Sequence, residues 1–237
     1  MPEISYPAPS GSVPGYLAVP DGTGPWPGVV VVHDAFGMTD DIRRITDRFA
    51  GAGYLTLTPA LFRRGNRIRC VVETMRTLSA NQGPAVDDLR AAGTYLAADD
   101  RCTGKVGVVG FCMGGGFCLL LAPTGTFDAA APNYGFLPKD LATLRHSCPV
   151  VASYGGKDRG LRGAADRLEA ALGEVPHDVE EYPNVGHSFM NDWRAPAPLR
   201  VVERVAGLQY SRPEAEDAWR RILAFFGEHL GQGQASR

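Results

Sequence analysis

The chain has 237 residues, 44% hydrophobic and 21% charged, a globular balance with enough apolar material for one sizeable core. A formal net charge of −2 excludes any electrostatic case for nucleic acid or an anionic membrane surface as partner. Five cysteines at irregular spacings, with no Cys-x-x-Cys pair, argue against a disulfide framework or a zinc site and point to reduced thiols.

Apolar runs alternate with segments of helical period. Residues 28–33 (Gly28, then four valines, then His33) form a continuous β-branched run, the pattern of a strand covered on both faces. A helix follows over 39–50, with Ile42, Ile45 and Phe49 on one face, Asp40 and Asp41 in its first turn, and Gly51 and Gly53 at its end. Residues 54–58 read as the next strand, stopped by Pro59. Residues 60–83 are the least regular part and suit a lid or pocket wall. They contain the only basic run, Arg63, Arg64, Arg67 and Arg69, either a solvated surface or a local site for an anionic substrate.

Pro84 opens a helix with Val86, Leu89, Gly93 and Leu96 inward. Strands are predicted at 105–109, 127–131, 148–154 and 177–182, with a helix between the last two marked by Leu161, Ala165, Leu168 and Leu172. The final helix has Ser211 as N-cap, Glu214 three residues on, and a core stripe of Trp219, Ile222, Leu223, Phe226 and Leu230. This alternation predicts one α/β domain over 1–237, a mostly parallel twisted sheet with helices on both faces, and a disordered tail at about 231–237. Function then belongs at the carboxyl ends of the strands. The start, Met1 to Ser5, lacks the charged and apolar parts of a signal peptide, and no apolar run approaches the roughly 20 residues that cross a bilayer. The expectation is a soluble cytoplasmic protein. Five scattered histidines, none at i, i+4 spacing, give no metal cluster.

Gly110-Phe111-Cys112-Met113-Gly114-Gly115, between the strand at 105–109 and the apolar segment 117–122, carries the most chemistry. Strand, sharp turn and helix in that order make a nucleophile elbow, Gly-x-Ser-x-Gly in most esterases and here with cysteine at the reactive position. Glycines two places before and after remove the Cβ atoms that would block the approach of strand and helix. At a helix N-terminus, unpaired N–H groups and the dipole favour a negatively charged sulfur. A buried cysteine in a glycine-rich packing turn is the bland alternative.

A cysteine nucleophile needs a base, and the base an orienting group. In an elbow fold the chain order is nucleophile, acid, histidine. Asp158, after the strong strand at 148–154, and His187, after the last strand, supply that order at strand ends. His146, His177 and His229 fall at the wrong edge, at a strand start and on a helix, and His33 precedes the nucleophile. The chemistry implied is acyl transfer to water, with the oxyanion held by the backbone N–H of Met113 and of Ala35. Phe36, Phe111, Tyr134, Phe136 and Trp193 are candidate apolar pocket walls. Two other readings are an acyl-transfer or thioesterase-like enzyme with slow deacylation, and a non-catalytic thiol sensor or binding protein on a hydrolase scaffold.

His33-Asp34-Ala35-Phe36-Gly37, residues 107–115, Gly155-Gly156-Lys157-Asp158 and Gly186-His187-Ser188-Phe189 together resemble the dienelactone hydrolase (carboxymethylenebutenolidase) family. The similarity spans 26–230. It implies an α/β-hydrolase fold, no cofactor, and a Cys-His-Asp triad of Cys112, His187 and Asp158 cleaving a small ester or lactone. Where the family has a glutamate that contacts the resting thiol, this chain has Asp34. Where the family has a substrate-binding arginine four residues after the histidine, this chain has Asn191. The resemblance therefore implies a dienelactone-hydrolase-like enzyme whose substrate either lacks that anionic group or has it bound differently, with Arg194 or the arginines at 63–69 as substitutes.

Overall fold

The computed structural model describes residues 3–62, 72–74, 76–77, 82–194 and 207–231. Among them runs an eight-stranded sheet: β1 (Glu3–Ala8), β2 (Gly11–Ala18), β3 (Trp26–Val32), β4 (Leu55–Pro59), β5 (Cys102–Phe111), β6 (Ala129–Asn133), β7 (Val150–Gly155) and β8 (His177–Tyr182). Its order is β1-β2-β4-β3-β5-β6-β7-β8. From β4 through β8 every pairing is parallel, and β1 and β2 add antiparallel strands at one edge. Every residue of β3, β4, β6 and β7 is buried, as expected of strands covered on both faces.

The main helices are α1 (Asp40–Gly51), α2 (Pro84–Ala97), α3 (Met113–Leu121), α4 (Ala164–Leu172) and α5 (Arg212–Leu230). Gly28 and its partner Val106 share one face of the sheet, where Leu96 of α2 packs on them. Val29 and Gly107, the next pair along, face the other way, where Phe226 and Leu230 of α5 lie against Gly107. Helices thus cover both faces, as the alternation predicts. The N-terminal hairpin β1–β2 is not predicted from sequence. Pro7, Gly11, Pro14 and Gly15 read as breakers, yet Pro7 lies in the edge strand β1, where proline is tolerated, and Pro14 of β2 comes just before the ladder with β4, which begins at Gly15.

Local chemistry sets the helix ends. Thr39 caps α1, its Oγ1 accepting from the Ile42 N–H at 3.3 Å. Ser211 stands at the N-cap of α5 as expected, but its hydroxyl bonds the Glu214 carboxylate instead of a backbone N–H. In the stretch expected to be irregular, residues 72–74, 76 and 77 are helical. The Arg63 to Arg69 cluster and the tail beyond 231 lie outside the described residues. No described helix is long and apolar enough to cross a membrane.

Candidate active site

Five loops leave the carboxyl edge of the parallel strands and converge: 33–37 after β3, Cys112 after β5, Tyr134 after β6, Asp158 after β7 and His187 after β8. Cross-strand register aligns their origins, with Phe111 beside Asn133, Asn133 beside Ser153, and Gly155 beside Tyr182.

Cys112 sits between β5 and α3 with φ 55° and ψ −114°, a backbone conformation that L residues rarely adopt. Glycine makes the bend possible. A Cβ on Gly110 would lie 2.2 Å from the Gly114 carbonyl oxygen, and one on Gly114 would lie 2.2 Å from the Val32 carbonyl oxygen. The Cys112 N–H is held by the Asn133 carbonyl at 3.1 Å. Met113 opens α3, so its N–H has no carbonyl one turn back to receive it. In the 33–37 loop, the Phe36 N–H donates to Asp34 Oδ1 at 2.7 Å and the Gly37 N–H to the Asp34 carbonyl at 3.2 Å. That turn engages the N–H groups of Phe36 and Gly37, the two residues after Ala35.

Asp158 and His187 meet: Nδ1 and Oδ2 are 2.6 Å apart. Burial pulls the Asp158 carboxyl upward, but hydrogen bonds from His187 and from the backbone N–H groups of Gly160 and Leu161 outweigh it and hold it below its ordinary value. An ionised carboxylate can only accept, so Nδ1 carries the proton and Nε2 is left for the other side. Cys112 is the other group that acts on the imidazole, by hydrogen bonding and by charge. Burial disfavours the imidazolium, yet the hydrogen bonds to Asp158 and Cys112 prevail and push His187 up to about 9. The remaining described cysteines are in a different situation. Burial raises the thiols of Cys102, Cys118 and Cys148, that of Cys148 to about 12. The other histidines are spent elsewhere: His33 Nε2 accepts from the Leu61 N–H at 3.2 Å, His177 bonds the Val175 carbonyl at 2.6 Å, and His229 packs on Phe225.

The expected pocket residues divide by burial. Phe36 is 47% exposed and meets Trp193 edge-on at 5.0 Å between centroids, and Phe136 is also exposed. Phe111, Tyr134 and Asn191 are fully buried. The Asn191 amide is committed on both sides: Oδ1 accepts from the Tyr134 hydroxyl at 2.6 Å and Nδ2 donates to Asp41 Oδ2 at 2.9 Å. Asp34 keeps Oδ1 on the Phe36 N–H, and both Asp34 and Cys112 act electrostatically on the Tyr134 hydroxyl. Sequence reasoning overlooks Asp41. The signal was available, since Asp41 lies one turn before Ile45 on the apolar stripe of α1 and is buried with it. A separate cavity of about 310 Å³, lined by Lys157, Asn184, Tyr210 and Ser211 among others, lies behind the His187 loop, and none of Cys112, Asp158 or His187 lines it. Among the described residues, no group of His, Cys, Asp or Glu is arranged to hold a metal ion.

A mostly parallel sheet, a strained cysteine turn between strand and helix and an imidazole–carboxylate pair at the carboxyl edge define an α/β-hydrolase. The family profile of the Dienelactone hydrolase family matches residues 13–230, and the chain belongs to that family. It is accordingly a hydrolase acting on ester or lactone bonds. A protein of Yersinia pestis provisionally named carboxymethylenebutenolidase is 31% identical, covering 96% of this chain and 88% of its own length. One from Methylorubrum extorquens with the same provisional name is 28% identical, covering 96% and 80%. The crystal structure of a protein provisionally named dienelactone hydrolase, from Klebsiella pneumoniae, superposes with TM-score 0.81 at 27% identity, covering 96% of this chain and 98% of that one. The acylaminoacyl peptidase of Pyrococcus horikoshii, at 12% identity and TM-score 0.72, shares the fold over 43% of its own chain.

Proposed function

We propose that the protein hydrolyses small esters or lactones through a Cys112–His187–Asp158 triad and a thioester acyl-enzyme. The observation that carries this reading is the 2.6 Å contact between the Asp158 carboxylate and His187, whose imidazole is also raised by Cys112, at the carboxyl edge of the sheet. With His187 held protonated up to about pH 9, the imidazole carries a proton that it can give to a leaving group.

The thiolate attacks the substrate carbonyl carbon. Negative charge gathers on the carbonyl oxygen, which the N–H groups of Met113 and Ala35 receive. The tetrahedral adduct collapses, Nε2–H of His187 protonates the departing alkoxide, and a thioester remains on Cys112. Acylation removes the thiolate charge that had helped to raise His187. The imidazole then becomes a better proton acceptor at the moment a base is needed. Nε2 takes a proton from water, the hydroxide attacks the thioester, and the acid departs as the Cys112 thiolate reforms.

The relatives' name, carboxymethylenebutenolidase, supports a lactone among the substrates. The amide of Asn191 is spent on Tyr134 and Asp41, which supports a substrate not anchored by a cation at that position. The test is turnover of p-nitrophenyl acetate by purified variants. Cys112→Ala and His187→Ala are expected to lose at least about 10³-fold in kcat/KM, and Asp158→Asn about 10²-fold or more, as residues of a concerted triad do. Wild-type turnover by Cys112→Ala overturns the reading. A stoichiometric burst followed by near-zero steady state would instead mark slow deacylation.

A further inference from the structure

Among the described residues, four non-glycines have positive φ: Cys112, Tyr134, Ser188 and Arg194. One is the nucleophile and one follows His187 directly. Tyr134, at φ 40°, is the third that touches the site, and the triad does not account for it. Strained backbone persists only where surrounding structure over-determines it, and it clusters where geometry matters for function.

The Tyr134 ring meets the His187 ring at 5.1 Å between centroids and 61° between planes. Phe111 and Phe189 pack on the same ring. Its hydroxyl lies at the end of a buried polar chain. It donates to Asn191 Oδ1 at 2.6 Å and receives the backbone N–H of Met190. Asn191 Nδ2 donates to Asp41 Oδ2 at 2.9 Å, and Arg44 pairs with Asp41 Oδ1 at 3.1 Å. Arg44 also donates to the Asp192 carbonyl at 2.6 Å. The chain thus ties α1 to the loop carrying His187 at two points. A carboxylate can only accept, so the amide orientation of Asn191 follows: its NH2 must face Asp41 and its oxygen the Tyr134 hydroxyl.

Asp158 and Cys112 hold His187 along the line between its two nitrogens. Hydrogen bonds at the two ends of a ring leave rotation about that line weakly restrained. Tyr134 supplies the restraint on the ring's face. We propose that Asn191 is a positioning residue: by locking the Tyr134 hydroxyl to Asp41 of α1, it holds the Tyr134 ring against His187 and so fixes the plane of the imidazole. This rests on His187 being the catalytic base. Displacement of a reacting group by a fraction of an ångström is enough to cost rate without altering substrate binding.

The test uses Tyr134→Phe, which removes only the hydroxyl, Asn191→Ala, and Asn191→Ser, which leaves a small polar group in the space. kcat for p-nitrophenyl acetate is expected to fall about tenfold in Tyr134→Phe and Asn191→Ala with KM within about twofold. The imidazolium is faced by Asp158, Cys112 and Tyr134. With its plane loosened, the alkaline limb of the rate profile should move down from about pH 9 toward 6.5. A merely structural role would lower thermal stability and leave both readouts in place. The same limb is read without substrate, from the pH dependence of iodoacetate labelling at Cys112, located by peptide mass. An inactive wild type would therefore refute the proposed hydrolysis and leave this test intact. If the folded variants keep kcat within about twofold and the limb of the wild type, the positioning role is wrong. If Tyr134→Phe and Asn191→Ala do not fold, Asn191→Ser decides by the same criteria.

Discussion

Cys112 stands at a backbone position that few residues tolerate, and His187 owes its charge to two neighbours that outweigh burial. Both statements have measurable consequences. His187 is about 9 in the folded protein against an ordinary 6.5, so the folded state holds its proton more tightly than the unfolded chain does. The resulting stabilisation is complete below about pH 6.5 and is lost as pH rises through about 9. The urea midpoint is expected to fall across that window, and His187→Ala should flatten the fall. A midpoint in the wild type that does not change between those values would contradict the assigned partners. Asp158 behaves oppositely: held below its ordinary value, it contributes above that value and is lost as pH falls through its lowered one. At this scale the sequence exposed the residue types and their order along the chain. Tyr134 and Asn191 appeared only as pocket candidates, because nothing in a linear sequence shows that a tyrosine hydroxyl and an asparagine 57 residues apart share a bond.

The elbow is an element-scale device. Strand β5 and helix α3 can approach only because Gly110 and Gly114 carry no side chain, and the second of these also lets β3 pass close by. Gly114→Ala places a carbon against the Val32 carbonyl oxygen, a backbone atom that cannot swing aside. The expected cost is at least about 3 kcal/mol, the upper end of overpacking penalties, read as a lowered urea midpoint or loss of soluble protein. A wild-type midpoint would show that α3 can shift without penalty. The central strands were legible because burial on both faces writes uninterrupted β-branched runs such as Val29 to Val32. The hairpin β1–β2 was not, because Pro7 in the edge strand and Pro14 just before the β4 ladder, with Gly11 and Gly15, imitate a loop. The capping box expected at Ser211 turned side chain to side chain: the Ser211 N–H that Glu214 would reach donates to the Phe189 carbonyl at 3.0 Å, and the hydroxyl took the Glu214 carboxylate.

At the scale of the whole molecule, the α/β alternation pointed to one sheet edge, and Cys112, Asp158 and His187 of the proposed triad all follow strands at that edge. Specificity was less legible. It depends on loops whose side chains meet across long sequence separations, such as Phe36 against Trp193. With a net charge of −2 and no described cluster of metal-binding side chains, turnover of a neutral ester is expected to survive dialysis against a chelator and to vary little with ionic strength. Loss of activity on chelation, restored by a divalent ion, would show that residues outside the triad supply an essential charge.

The central claim is that the sulfur of Cys112 forms a covalent bond to the acyl group. Rapid acid quenching of wild-type protein with p-nitrophenyl acetate, followed by peptide mass mapping, tests it most directly. The expected result is an acetyl group on the peptide containing Cys112, present within the first turnover and absent from Cys112→Ala. Acetyl groups found only on other residues, while the ester is still turned over, would contradict it.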